Sequence, residues 1–453
     1  MKPFIVVQGP VATRSGYGNH TRDLVTALIK ADKYDIQIIS LPWGSTPMNA
    51  LEANNKNHQE IAKRIARAQI TRQPDIFIQV SVPNEFCLAP DGKTPVKPGK
   101  FNIGVTAGIE TTVVSHEFIE GCNRMDLVLT TSNHSKAGFT STSYDKMDEK
   151  TKQKIGELKL ETPIEVLFEG IDLDVYKKID KIHESVELEL SDIKDDFCFL
   201  FVGHWLQGGL GQDRKDVGMM IKTFCETFKR KSSHNRPGLI LKTSHAGFSI
   251  IDRDQITKKI QEVIAPYGND VPNIYLIHGD LSDSEMNSLY NHPKVKAMVS
   301  FTKGEGFGRP LLEFSVTGKP VIASSWSGQV DFLNKDYSVL LPGEMTIVDK
   351  SATDRFILEG SKWFTVNYSY ASKILVDCMK NYKKYLERSR KQGHLSKTEF
   401  NLNKMNELFC EYIDKGLKKV PQQVGLKLPK LKKASENNQM PKLKLPKLKK
   451  VEA

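Results

Sequence analysis

The chain lacks most of the features that would tie it to a membrane, an oxidising compartment or a redox site. No run among its 453 residues approaches the roughly 20 consecutive apolar residues that a membrane-spanning helix needs. The N-terminal MKPFIVVQG has too short an apolar run for a signal peptide and reads as a strand. The expected location is therefore cytoplasmic, at most peripheral to a membrane. Cysteine is sparse: Cys87, Cys122, Cys198, Cys225, Cys378 and Cys410 are widely spread, with no Cys-x-x-Cys pair. That argues against a disulfide framework and for reduced, mostly core thiols. No Ser-His-Asp, Cys-His or zinc-ligand spacing is present. Gly9, Gly16 and Gly18 lack the G-x-G-x-x-G spacing of a dinucleotide fingerprint and read as a loop that approaches a cleft.

Net charge is also missing from most of the chain. The total is +11, but residues 415–453 hold 12 Lys, 2 Glu and no Arg or Asp, a net +10, which leaves +1 for residues 1–414. An argument from charge to an anionic partner, membrane or DNA, therefore applies to this tail alone. The tail carries LKLPKLKK twice, at 426–433 and 443–450. A proline inside each copy forbids a continuous helix, and the composition is too poor for a core, so disorder is expected. Two copies on one flexible segment suit recruitment to a repeated anionic surface or a polymeric acceptor.

What is present is a repeated alternation of strand and helix. Short apolar runs rich in β-branched residues fall at 4–7, 36–41, 76–82, 101–105, 127–130 and 164–168. The pattern restarts at 197–202, 239–241, 274–277, 297–300, 321–323 and 339–341, with helical periodicity in several of the gaps. Near-continuous apolar strands between helices predict parallel sheets covered on both faces. The expected fold class is α/β, with two doubly wound Rossmann-like domains and a hinge between Gly170 and Asp196. The expected divisions are 1–175, 176–390, closing helices at 391–415 and the basic tail at 416–453.

The strongest chemical signal is AMVSFTKGEGFGRPLLEFSVTGKPVIAS, residues 297–324. An apolar strand runs into a turn containing Gly304, Gly306 and Gly308, and Pro310 stands where a helix would begin. Such a turn presents backbone N–H groups at the positive end of a helix, suited to phosphate or sugar oxygens. Glu305 and Glu313 bracket it. Five other glutamate pairs share their spacing, so the strand–turn–helix context carries the signal.

The segment 304–313 resembles the E-x7-E element of retaining glycosyltransferases, above all glycosyltransferase family 4. TGKPVIASSWSGQVDFL, GYGNHTRDLVTAL, MDLVLTTSNHSKAGF and FEGIDLDVY are similar to further parts of that family in the same order, over most of residues 1–390. The resemblance implies a GT-B fold, two domains facing a cleft, with the first on the acceptor side and the second binding the nucleotide-sugar. It implies a UDP- or GDP-sugar donor, no other cofactor, no metal, and transfer with retention to a glycan, lipid-linked or other polymeric acceptor. Glu313 then binds the donor ribose and Glu305 lies against the transferred sugar. Gly306, Phe307, Gly308, Leu312 and Gly16 complete the donor side. Arg214 and Lys215 neutralise the diphosphate, whose oxygens gain charge as it leaves. In the first domain Glu110 is favoured over His116 as a group near the sugar. The Asp172–Asp174 and Asp252–Asp254 triplets read as structural, the second opening a helix. Rival readings are a DNA-modifying glycosyltransferase held on DNA by its tail, an inactive GT-B docking module and a nucleotide-sugar isomerase.

Overall fold

The computed structural model describes residues 2–232, 236–245 and 247–420. The lysine-rich repeats, and the recruitment expected of them, lie outside those residues. In chain order the strands of the first half are β1 (Phe4–Gly9), β2 (Asp35–Ser40), β3 (Ile76–Val80), β4 (Phe101–Thr106), β5 (Leu127–Thr130), β6 (Ser143–Met147), β7 (Lys154–Lys159) and β8 (Ile164–Val166). Those of the second are β9 (Cys198–Val202), β10 (Gly238–Lys242), β11 (Ile274–Ile277), β12 (Val295–Ser300), β13 (Val321–Ser324), β14 (Val339–Leu341), β15 (Gly343–Ile347) and β16 (Lys362–Val366). The helices are α1 (Gly16–Ala31), α2 (Lys56–Arg64), α3 (His116–Cys122), α4 (Asn133–Ser141), α5 (Glu184–Glu189) and α6 (Val217–Phe228). They continue with α7 (Ile250–Ile264), α8 (Asp283–Asn291), α9 (Arg309–Ser315), α10 (Tyr368–Lys380), α11 (Tyr382–Glu399) and α12 (Leu402–Lys419).

Two six-stranded sheets result, β2-β1-β3-β4-β5-β8 and β11-β10-β9-β12-β13-β14, and every neighbouring pair in them is parallel. Each of the apolar runs expected to be a strand becomes one of these. The physical reason is that both faces of each sheet are covered. In the second sheet Phe199, Phe201, Leu239 and Leu241 pack under α6 and α10, while Leu200, Ile240 and Met298 pack with Leu289 of α8 and Leu311 of α9 on the other face. The antiparallel hairpins β6–β7 and β15–β16 are not among the expected strands. β6, β7 and β15 are mostly exposed and carry no apolar run to detect, whereas β16 buries Trp363, Phe364 and Val366 and does carry an apolar signal.

The last helix returns to the first sheet. Met405, Phe409 and Ile413 of α12 pack with Ile5, Ile76 and Ile103. The outgoing and returning segments run side by side, with Ile171 N–H donating to Phe400 O (2.9 Å) and Leu402 N–H to Ile171 O (2.8 Å). All six cysteines are free thiols and five of them are buried. Among the described residues no helix is long and apolar enough to cross a membrane.

Both sheets reverse strand order beside their first strand, β1 between β2 and β3, and β9 between β10 and β12. In open parallel sheets ligands bind at such switch points, beyond the carboxyl ends of the strands. Here the two sets of carboxyl ends open onto one cavity.

Candidate functional site

A cavity of about 420 Å³ is lined by the segments that follow β1, β4, β5 and β8 of the first sheet and β9, β10 and β12 of the second. Of the residues singled out in the sequence, Gly16, Glu110, Arg214, Lys215, Glu305, Gly306, Phe307 and Gly308 all line it. Leu312 is buried in the apolar cluster beneath the second sheet and Glu313 is enclosed behind Arg309; neither lines the cavity. His116 is exposed at the start of α3, whereas Glu110 reaches into the cavity.

Two cations and two carboxylates meet on the cavity floor. Lys215 Nζ pairs with Glu305 Oε1. Arg214 Nη1 lies 3.1 Å from Glu110 Oε1 and 3.5 Å from Glu305 Oε2, and also donates to Gly304 O at 3.1 Å. Burial alone would push the Glu305 carboxyl up, but Lys215 and Arg214 pull it below its usual range. Burial lowers the Lys215 ammonium, with Glu305 only partly opposing it. Glu305 is thus held in its ionised form, and the basic pair is balanced by the two carboxylates.

The loop carrying the basic pair is fixed by a second buried ion pair. Lys303, 1% exposed, lies 3.5 Å from Asp216, 0% exposed. Lys303 N–H donates to Arg214 O at 2.7 Å, and Tyr368 OH donates to Asp216 Oδ2 at 2.6 Å. Removing one partner of a buried pair leaves an uncompensated charge, which costs about 3–5 kcal/mol. Lys303→Met is therefore expected to lower the unfolding free energy by about that amount, read from urea unfolding. A loss below about 1 kcal/mol would show that the pair does not anchor the loop.

A third cluster centres on Arg309. Its Nε lies 3.0 Å from Glu313 Oε1, and its Nη1 lies 2.6 Å from Asp23 Oδ2 on α1 and 3.6 Å from Glu169 Oε2 after β8. Tyr290 OH donates to Glu313 Oε2 at 3.1 Å. Burial raises Glu169 to about 7, with Arg309 opposing and Asp23 and Glu313 adding to the rise. Glu313 is likewise raised to about 7 by burial against the pull of Arg309. One guanidinium cannot fully compensate three buried carboxylates.

A carboxyl raised in the folded state contributes stability below its unfolded pKa and loses it as pH rises through the folded value. For Glu169 that window runs from the ordinary 4.5 to about 7. Glu169→Gln is expected to unfold at a higher temperature than wild type at pH 8 and at nearly the same temperature at pH 4. A variant less stable at pH 8 would show that the charged form is favoured.

Arg309, Glu169, His20, Tyr17 and Lys242 line the cavity and were not singled out in the sequence. Arg309 stands inside GEGFGRP and Glu169 inside FEGIDLDVY, so both lie within quoted motifs. Tyr17 and His20 stand inside GYGNHTRDLVTAL, also among those motifs, and Lys242 stands outside all of them. In the Asp-x-Asp triplets, Asp172 Oδ1 accepts from Asp174 N–H at 2.9 Å. Asp252 Oδ2 lies 2.6 Å from His278 Nε2 and its Oδ1 lies 2.8 Å from His245 Nδ1, while Ser249 caps α7. Among the described residues no group of three or more His, Cys, Asp or Glu is arranged to hold a metal ion.

No family model matches the sequence, and no curated protein matches it. Solved structures match over nearly the whole chain. A glycosyltransferase from Rickettsia africae is 15% identical, over 92% of this chain and 99% of that one, with a TM-score of 0.58. HepE from Anabaena, in complex with UDP and glucose, is 12% identical over 91% and 100%, with a TM-score of 0.55. Sucrose-phosphate synthase from Thermosynechococcus elongatus is 12% identical over 91% and 98%, with a TM-score of 0.59. At such identities the likeness is one of fold. The chain has the GT-B glycosyltransferase fold of twin Rossmann-like sheets.

Proposed function

We propose that the chain is a glycosyltransferase that moves a sugar from a nucleotide-sugar donor to an acceptor, with retention at the anomeric carbon and without a divalent metal. The observation that carries this reading is the meeting of Arg214, Lys215, Glu305 and Glu110 where the carboxyl ends of the two sheets face one cavity. As the bond from the anomeric carbon to the diphosphate oxygen breaks, its electron pair moves onto the diphosphate. Lys215 and Arg214, whose side chains are 12% and 18% exposed, are placed to stabilise that charge. Donor entry gives the basic pair a new anionic partner and releases the Glu305 carboxylate toward the sugar hydroxyls. Glu313 contacts a ribose once Arg309 turns aside, or acts by holding Arg309 at the cavity edge.

Binding stabilises the folded state by RT ln(1 + [L]/Kd), about 2.7 kcal/mol at a hundredfold excess over Kd. At least one of UDP, GDP and ADP at millimolar concentration is therefore expected to raise the unfolding midpoint. Glu313→Ala should shrink that rise if its carboxylate takes part. Incubation with UDP-, GDP- and ADP-sugars identifies the donor by its hydrolysis, which EDTA should leave unchanged. Three nucleotides that all leave the midpoint unmoved would overturn the donor site, and activity lost with EDTA but restored by Mn²⁺ would overturn its independence of metal.

A further inference from the structure

One wall of the cavity is not used by the basic pair and its carboxylates. It comes from α1, through Gly16, Tyr17 and His20, and from Glu169 beyond β8. His20 is 4% exposed, and neither Nδ1 nor Nε2 has a hydrogen-bond partner among the described residues. Glu169 is 7% exposed, its Oε2 makes no hydrogen bond there, and Arg309 Nη1 lies 3.6 Å away. Buried polar atoms are satisfied in the great majority of cases, so two such side chains on one cavity wall are suited to a hydrogen-bonding partner from outside the described residues.

The chemistry of the wall selects that ligand. Burial, helped by the charge of Arg309, pushes His20 down to about 3, so its ring is neutral near pH 7. A neutral imidazole offers one donor and one acceptor, the same pair that a hydroxyl offers. An anion would face Glu169 and find the Arg309 guanidinium already engaged by Asp23 and Glu313. A metal cation would be repelled by Arg309. An apolar group would leave both ring nitrogens unpaired. A hydroxylated, uncharged ring satisfies His20 and Glu169 together.

We propose that His20 and Glu169 form a subsite for the hydroxyl groups of a sugar ring on the cavity wall built by the first sheet. The subsite rests on the nucleotide-sugar reading above and names residues that reading does not use. Three rings carry this chemistry: the donor ribose, the transferred sugar and the acceptor.

Calorimetric titration of wild type, His20→Phe and Glu169→Gln with UDP, GDP and ADP, their glucose conjugates, and free glucose separates them. His20→Phe keeps the ring volume and removes both nitrogens. It is expected to bind its ligand on the order of tenfold more weakly, with no fall in the unfolding midpoint of the free protein. Glu169→Gln should weaken the same ligand. Equal loss for a nucleotide and its glucose conjugate assigns the ribose. Loss confined to the conjugate assigns the transferred sugar, and loss confined to free glucose assigns an acceptor ring. Wild-type affinity of His20→Phe for every ligand that wild type binds overturns the subsite while leaving the donor reading intact. A wild-type chain that binds none of them overturns that reading and the subsite with it.

Discussion

Replacing Lys215 with alanine is expected to lower the rate of sugar transfer by about 10²–10³, the loss typical of one donor aimed at developing charge. Lys215 pairs directly with Glu305, while Arg214 is shared among Glu305, Glu110 and Gly304 O. The ammonium is therefore the more available of the two cations for a leaving diphosphate. Its removal also leaves Glu305 with only the more distant Arg214, so the carboxyl should protonate more readily. The comparison that isolates the catalytic effect is Lys215→Ala against Lys215→Ala with Glu305→Gln. Both should bind the nucleotide and both should transfer slowly, measured by release of the nucleoside diphosphate under saturating donor. A Lys215→Ala rate within threefold of wild type would remove Lys215 from the chemistry.

Gly304→Ala is expected to cost about 10² in transfer while leaving nucleotide affinity within a few-fold. A Cβ on Gly304 would stand 1.9 Å from Glu110 O and one on Gly306 would stand 2.6 Å from Ala107 O. Both carbonyls belong to the segment after β4, on the first sheet, so these glycines let the two halves of the cavity approach. Neither needs a positive φ, so a methyl group acts by contact and not by backbone strain. Thr131 Oγ1 donates to Gly306 O at 3.2 Å across the same junction, and Lys362 N–H donates to Thr112 Oγ1 at 3.0 Å. A methyl at position 304 must push the segment after β4 away by more than an ångström. Misplacement on that scale costs about a hundredfold when reacting groups come from both sides. Steady-state kinetics beside calorimetry with the nucleotide reads both quantities. A Gly304→Ala enzyme with normal turnover would show that the close approach is not needed for transfer.

The glycine turn shows how far the sequence reaches. Its strand, its Pro310 and the helix that follows were legible because each is a local pattern. As a local pattern the turn reads as a cradle of backbone N–H groups. The structure adds that Gly304 and Gly306 also face carbonyls nearly 200 residues earlier in the chain, which no local pattern can report. Glu313 illustrates the reverse: its spacing from Glu305 was plain, yet Arg309, Tyr290 and the surrounding burial decide what its carboxylate touches.

By itself the sequence determined the two parallel sheets, because a strand buried on both faces must be apolar along its whole length and helices between such strands keep their own period. It also marked Glu305, Arg214 and Lys215 as the residues to watch. Only the tertiary structure decided their partners. Lys215 and Glu305 are 90 residues apart, Arg309 and Asp23 are 286 apart, and α12 closes on a sheet begun at Phe4. Periodicity is set by the backbone within a few residues. Electrostatic pairing and the isolation of His20 depend on which surfaces the folded chain brings together and on how much water it leaves between them.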